Sequence, residues 1–213
     1  MLKEEKVIDY WKKRAIKLGE TAVGYGDQSL DKQEGFYKER KQFIFKYIYR
    51  DRPTIDYGCG VGRYSEEFKD DYLGVDVTEE MIKLACRLHP DKEFVLLNNP
   101  FLNTNFDDDD DDKSDKTGVE IDWIKQFFTA TVLQHCDNDL VIKILKSVHG
   151  LKPTGFHFCF YENSMSFEKP HIVGRKPEQY LGMIMQAGFD IKDAACHKHY
   201  VKKEEHSLLI AEV

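Results

Sequence analysis

No run of about 18 apolar residues occurs in the 213-residue chain, which excludes a membrane-spanning helix and argues against a membrane partner. The opening residues, MLKEEKVIDYWKKR, lack the apolar centre of a secretion signal. There is no CxxC pair. The five cysteines, Cys59, Cys86, Cys136, Cys159 and Cys196, are odd in number and scattered. That pattern suits reduced thiols and a cytoplasmic location, not a disulfide framework. Net positive charge is also missing. The formal charge is −7, and six of the negative charges form one run, Asp107 to Asp112. Without a general basic field, nucleic acid is not an expected partner. Nor is a metal: His197, His199 and His206 lack further ligands at metal-binding spacing, and the aspartate run lacks the alternation and glycine turn of a calcium loop.

What is present is 41% hydrophobic residues, enough for the core of one α/β domain. Apolar spacing predicts helices over residues 4–18 and 33–49. From Pro53 the pattern alternates. TIDYG, YLGVDV, EFVLL, IKQFFTATVL and GFHFCFYE read as strands. Helices are expected between them at residues 63–69, at EEMIKLACRL with Thr78 as its cap, and at NDLVIKILKSVHGL capped by Asn138 or Asp139. KPEQYLGMIMQAGF adds another helix, with Pro177 in its first turn. Two last strands, near residues 191–200 and 207–213, have no helix between them. The expectation is a Rossmann-like, seven-stranded, mostly parallel sheet with helices on both faces and an antiparallel C-terminal hairpin. Residues 1–50 would form a helical lid and 51–213 the main domain, with an acidic loop insertion at 103–118.

TIDYGCGVGR places Gly58, Gly60 and Gly62 directly after a strand. In an open α/β sheet this turn lies where ligands bind, and the following segment offers free N–H groups. The spacing is G-x-G-x-G, not the G-x-G-x-x-G of a dinucleotide site. Asp76 ends the next strand, 14 residues beyond Gly62. A carboxylate there can accept bonds from two ribose hydroxyls.

These residues resemble the class I S-adenosylmethionine-dependent methyltransferases. D-Y-G-C-G-V-G-R and G-V-D-V-T-E-E-M are similar to that family's first motif and strand-two acid. FTATVLQHCDND, LKPTGFHFCFYEN and QAGF follow in the family's order, so the resemblance covers about residues 53–213. It implies S-adenosylmethionine as cofactor and S-adenosylhomocysteine as product. It assigns Asp56, Gly58, Cys59, Gly60, Gly62 and Arg63 to the methionine part of the cofactor and Asp76 to the ribose. Val77, Met81, Asn98 and Asn99 would meet the adenine, and Thr129 and Ala130 the amino end. The family's usual acid early in strand four is replaced by Lys125.

For catalysis, His135 at the end of strand four is a candidate base, with a backbone-bonding role as its alternative. Glu162 and Asn163 end strand five nearby. Tyr10, Trp11, Tyr25 and Tyr161 are candidate substrate contacts. The implied function is methyl transfer to an O or N nucleophile of a small molecule. YWKKRAIKLGETAVGYG is also similar to the entry segment of protein N-terminal methyltransferases, so a peptide α-amine is an alternative acceptor. A non-catalytic, cofactor-binding partner subunit is another. Monomer and homodimer are both compatible with the sequence.

Overall fold

The computed structural model describes residues 4–23, 30–69, 71–102, 123–150, 156–164, 171–199 and 204–212. Tyr25 and the acidic insertion at 103–118 lie outside the described residues. The helices are α1 (Glu4–Leu18), α2 (Leu30–Ile44), α3 (Glu79–Leu88), α4 (Asn138–His149) and α5 (Pro177–Gln186). The strands are β1 (Thr54–Tyr57), β2 (Tyr72–Asp76), β3 (Glu93–Leu96), β4 (Gln126–Ala130), β5 (His157–Asn163), β6 (Asp190–His199) and β7 (Glu204–Glu212). Among the described residues no helix is long and apolar enough to cross a membrane.

The seven strands form one sheet in the order β3-β2-β1-β4-β5-β7-β6. β1 to β5 pair in parallel, while β7 pairs antiparallel with both β5 and β6. The mostly parallel sheet with a C-terminal antiparallel hairpin is the one the strand–helix alternation predicts; the insertion of β7 between β5 and β6 is added by the structure. The chain winds outward from β1 through β2 to β3, then crosses to β4 on the other side of β1. That reversal opens a crevice beyond the C-terminal ends of β1 and β4.

Strand residues face the two sides by alternation. Phe127, Phe158 and Phe160 pack with Val141, Ile144 and Leu145 of α4 and with Tyr180, Met183 and Ile184 of α5. Their neighbours Phe128, Cys159 and Tyr161 pack with Phe36, Tyr37 and Ile44 of α2. Each fully buried large apolar side chain contributes about 1.5–3 kcal/mol. A smaller cluster joins α1 to α3 through Ala15, Met81 and the half-buried Trp11 and Leu18.

Three local expectations change. The helix expected over residues 63–69 is one 3-10 turn, Ser65–Glu67, after which Phe68 is extended. The 3-10 rise of about 2.0 Å per residue returns this short link to the start of β2 faster than an α-helix would. α2 begins and ends earlier than predicted, at Leu30 and Ile44. The cap of α4 is Asp137, whose Oδ1 accepts the Leu140 N–H at 2.9 Å.

Gly62 explains one end of the glycine motif without a ligand. Its φ is +77°, and a Cβ there would sit 2.8 Å from Phe94 Cζ and 2.9 Å from His89 Cδ2. Left-handed strain and overpacking together should make Gly62→Ala cost roughly 2–4 kcal/mol. Gly182→Ala is the control: a Cβ at this exposed α5 position meets nothing within 4 Å, so it should be neutral or stabilising by up to about 1 kcal/mol. Urea unfolding of both variants checks the pair, and equal stabilities would contradict it.

Candidate functional site

A cavity of about 330 Å³ occupies the crevice. Its floor is the set of turns after β1, β2, β4 and β5. Val7, Ile8, Tyr10, Trp11 and Arg14 of α1 lie over it.

Asp76 organises the glycine side. Its Oδ2 accepts the Gly60 N–H at 3.0 Å and its Oδ1 accepts the Thr78 N–H at 2.8 Å. One carboxylate thus ties the turn after β1 to the start of α3. Thr78 stands at the N-cap position but makes no side-chain cap bond; its own N–H is held by Asp76 instead. Burial raises the Asp76 pKa, while its bonds to the Thr78 and Gly60 amides act the other way. Gly58 and Gly60 line the cavity with φ of +71° and +56°. A Cβ on Gly60 would lie 2.7 Å from Val23 Cγ1, so here too the protein itself demands glycine.

Asp56, 2% exposed, accepts a hydrogen bond from the Tyr72 hydroxyl at 2.8 Å. Burial pushes its pKa up to about 7, against the lowering effect of that bond; Asp76 adds a further upward push. Cys59 is buried between them, and its thiol is pushed well up by burial. It remains a protonated packing residue.

The turn after β4 is the most constrained part of the floor. Thr131 has φ +60°, an outlier for a β-branched residue, and its N–H donates to Tyr161 O at 2.7 Å. Glu162 Oε1 accepts from Val132 N and Leu133 N, both at 3.0 Å, and Oε2 from Gln134 N at 3.1 Å. From the other side, the buried Arg175 donates to Leu133 O at 2.9 Å, Cys136 O at 2.6 Å and Asn138 Oδ1 at 2.9 Å. This clamp fixes His135. Its Nδ1–H donates to His171 O, and its Nε2 lies 3.1 Å from Gln134 Nε2. The imidazole therefore holds its proton on Nδ1 and accepts at Nε2. Trp11 meets its ring edge-on at 4.9 Å, and Tyr10 stacks on His171 at 4.6 Å. Burial lowers the His135 pKa to about 4, despite the bond to His171.

No protein-family model and no curated protein matches the sequence. Solved structures do match. A S-adenosylmethionine-dependent methyltransferase from Leishmania major is 12% identical with a TM-score of 0.71, covering 98% of this chain and 82% of its own. Magnesium protoporphyrin IX methyltransferase from Synechocystis, solved with S-adenosylhomocysteine, is 13% identical with a TM-score of 0.68, covering 99% and 100%. A third S-adenosylmethionine-dependent methyltransferase, from Methanosarcina mazei, gives 16%, 0.61, 79% and 95%. The fold is that of the class I methyltransferases.

In this class I fold, the cavity brings together Asp56, Gly58, Cys59, Gly60, Arg63, Asp76, Val77 and Met81 on one side. It adds Tyr10, Trp11, His135 and Asn163 on the other. Six residues singled out from sequence do not reach it. Gly62 packs on Phe94 instead. Asn98 is exposed, and Asn99 Oδ1 accepts the Phe101 N–H at 2.9 Å, which commits it to the turn; Leu97 and Pro100 line the wall. Thr129 is fully buried within β4, while Ala130, expected beside it, does line the cavity together with Thr131. Glu162 is buried and spent on three backbone amides rather than on a substrate. Tyr161 is fully buried, with its hydroxyl 2.7 Å from His197 Nδ1. Residues missed from sequence are Arg175, Tyr72 and Thr131, together with Tyr37, Arg40, Tyr64 and His206 in the lining. Only the GR preceding the α5 proline could have drawn attention to Arg175, and its partners are 37 to 42 residues away.

Because the folded His135 pKa lies below the ordinary 6.5, the unfolded chain binds a proton that the folded chain refuses between those values. Its contribution to stability is present above pH 6.5 and is lost as pH falls toward 4. NMR titration of the His135 ring in the folded protein should give a midpoint near 4. A midpoint near 6.5 would contradict the buried, neutral imidazole.

Proposed function

We propose that the chain is a S-adenosylmethionine-dependent methyltransferase acting on an O or N nucleophile of a small molecule. One observation carries the reading: a carboxylate at the tip of β2, bound to the glycine turn of β1, on the rim of a cavity at the sheet's switch point. Each Asp76 oxygen accepts one backbone N–H and retains capacity for a ribose hydroxyl. Val77, Met81 and Leu97 offer an apolar wall for a purine. Asp56 and Arg63 offer opposite charges for the amino and carboxylate groups of a methionine moiety. The 12–16% identities of the neighbours support the fold, and the cofactor assignment rests on how these residues fit it.

When bound, S-adenosylmethionine supplies a methyl group already activated on a sulfonium, so the protein's task is chiefly alignment. His135 bounds the acceptor end of the cavity. Its Nδ1–H is given to His171 O and its Nε2 is met by the Gln134 amide, so it shapes this chamber as a neutral, weakly basic ring, the backbone-bonding role that is the alternative to a catalytic base. α1 is the lid, with Tyr10 and Trp11 excluding water above His135. The remaining chain from residue 51 forms the domain that carries the chemistry.

A second reading, a peptide α-amine acceptor, draws support from Asn163. It lines the cavity at the end of β5, where the N-terminal methyltransferases that the sequence resembles carry their amine-holding asparagine.

Calorimetric titration with S-adenosylmethionine and S-adenosylhomocysteine tests the proposal. The wild type should bind both at micromolar levels, and Asp76→Ala should weaken binding by about 10- to 100-fold, the value of charged hydrogen bonds. Folded wild type that binds neither would overturn it. Binding without turnover on any amine, hydroxy acid or peptide would favour a non-catalytic partner subunit.

A further inference from the structure

The cavity has a second wall that the cofactor reading does not use. It is built from Arg40 of α2, Asn163 of β5 and His206 of β7, with Tyr37 and Tyr64 beside them. β5 and β7 lie two and three strands from β1. At about 4.8 Å per strand, Asn163 and His206 are about 10–14 Å from β1, while Tyr64, two residues beyond Gly62, and Tyr37, under the Arg63 guanidinium at 4.4 Å, carry the wall back to the glycine turn.

Its chemistry is that of an anion site. Arg40 is 5% exposed, and its Nη2 donates to His206 Nε2 at 2.8 Å. A guanidinium only donates, so His206 accepts at Nε2 and carries its proton on Nδ1. Arg40 is held flat over the Phe36 ring, 4.0 Å from its centroid. His206 stacks on Tyr161 at 4.9 Å. Tyr161 is in turn fixed by His197, whose Nε2 lies 3.5 Å from Glu39 Oε1. The donors are thus preorganised. The Tyr64 hydroxyl is buried and has no hydrogen-bond partner among the described residues, although Arg40 and Asp56 both act on it electrostatically.

The distribution of acids points the same way. Among the described lining residues the carboxylates are Asp56 and Asp76, both on the glycine side. None of these described carboxylates belongs to the far wall, so a cationic acceptor group would meet the Arg40 guanidinium there with no described carboxylate of the wall to offset it. We infer that the Arg40–His206 wall receives a carboxylate of the methyl acceptor, an inference that rests on the methyltransferase reading. The acceptor is then a small acid that spans from this wall to His135.

Three ring-matched probes test it: benzoate, benzamide and benzylamine, with charges of −1, 0 and +1. They are titrated into the full chain with and without saturating S-adenosylhomocysteine. Benzoate should bind at least about ten-fold tighter than benzamide, and benzylamine weakest. Arg40→Gln should erase the benzoate preference while leaving S-adenosylhomocysteine affinity intact, which also reports that the variant folds. Should that variant fail to fold, Tyr64→Phe removes one hydroxyl only, and it should weaken benzoate several-fold without changing the benzamide value. Equal binding of benzoate and benzamide, or preference for benzylamine, would overturn the inference. So would an Arg40→Gln variant that loses S-adenosylhomocysteine and keeps the benzoate preference, because Arg40 would then hold the cofactor's own carboxylate. Inorganic phosphate that displaces benzoate with higher affinity would assign the wall to phosphate and overturn the carboxylate. If wild type binds no S-adenosylhomocysteine, the methyltransferase reading fails alone, and the probe ranking measured without it still decides whether the wall selects a carboxylate.

Discussion

The Asp76 carboxylate holds three pieces of backbone in register. It belongs to β2, it binds an amide of the turn after β1, and it binds an amide at the start of α3. A half-buried carboxylate is costly unless its lone pairs are occupied, and these two amides supply part of that compensation. The consequence is a pocket rim whose shape depends on one ionisable group. Tyr72 and Asp56 extend the arrangement inward, since the β2 tyrosine bonds the β1 aspartate beneath the glycine turn.

A second anchor fixes the opposite rim. Glu162 gathers three amides of the turn after β4, and Arg175 gathers carbonyls of the same turn. Donors and acceptors of one short irregular segment are thus satisfied by one buried acid and one buried base. Burial pushes the Glu162 pKa up to about 7, while the three amides and Arg175 favour its charged form. The strained Thr131 persists because this clamp and the bond to Tyr161 over-determine its conformation. Between the two anchors the floor is rigid, and α1 closes over it mainly through side-chain contacts with α3, His135 and His171.

Much of this was legible in the sequence, for identifiable reasons. Strand–helix alternation and the helix-free final link indicated the mostly parallel sheet and its antiparallel end, because both follow from local periodicity; the strand order, with β7 between β5 and β6, depends on long-range pairing and was not legible. Asp76 was legible because a strand tip is a position that sequence can mark. Glu162 was found, but its role was misjudged: a carboxylate at a strand end looks like a substrate contact until its three amide donors, 28 to 30 residues away, come into view. Arg40 went unmarked, and His206, weighed only as a metal ligand, was not linked to it, for the same reason. They are 166 residues apart, and neither carries a local pattern. The helix expected between the first two strands at residues 63–69 is one 3-10 turn instead, because the short link to β2 requires an extended ending at Phe68.

The central claim is that the Asp76-tied glycine turn is a ribose site and the clamped turn after β4 faces the reacting group. The most direct measurement is a crystal structure of the protein with S-adenosylhomocysteine. The account predicts both ribose hydroxyls within hydrogen-bond distance of Asp76, with the homocysteine running past Asp56 and its sulfur turned toward the chamber under α1. S-adenosylhomocysteine bound elsewhere, or in this cavity with its ribose directed away from Asp76, would contradict it.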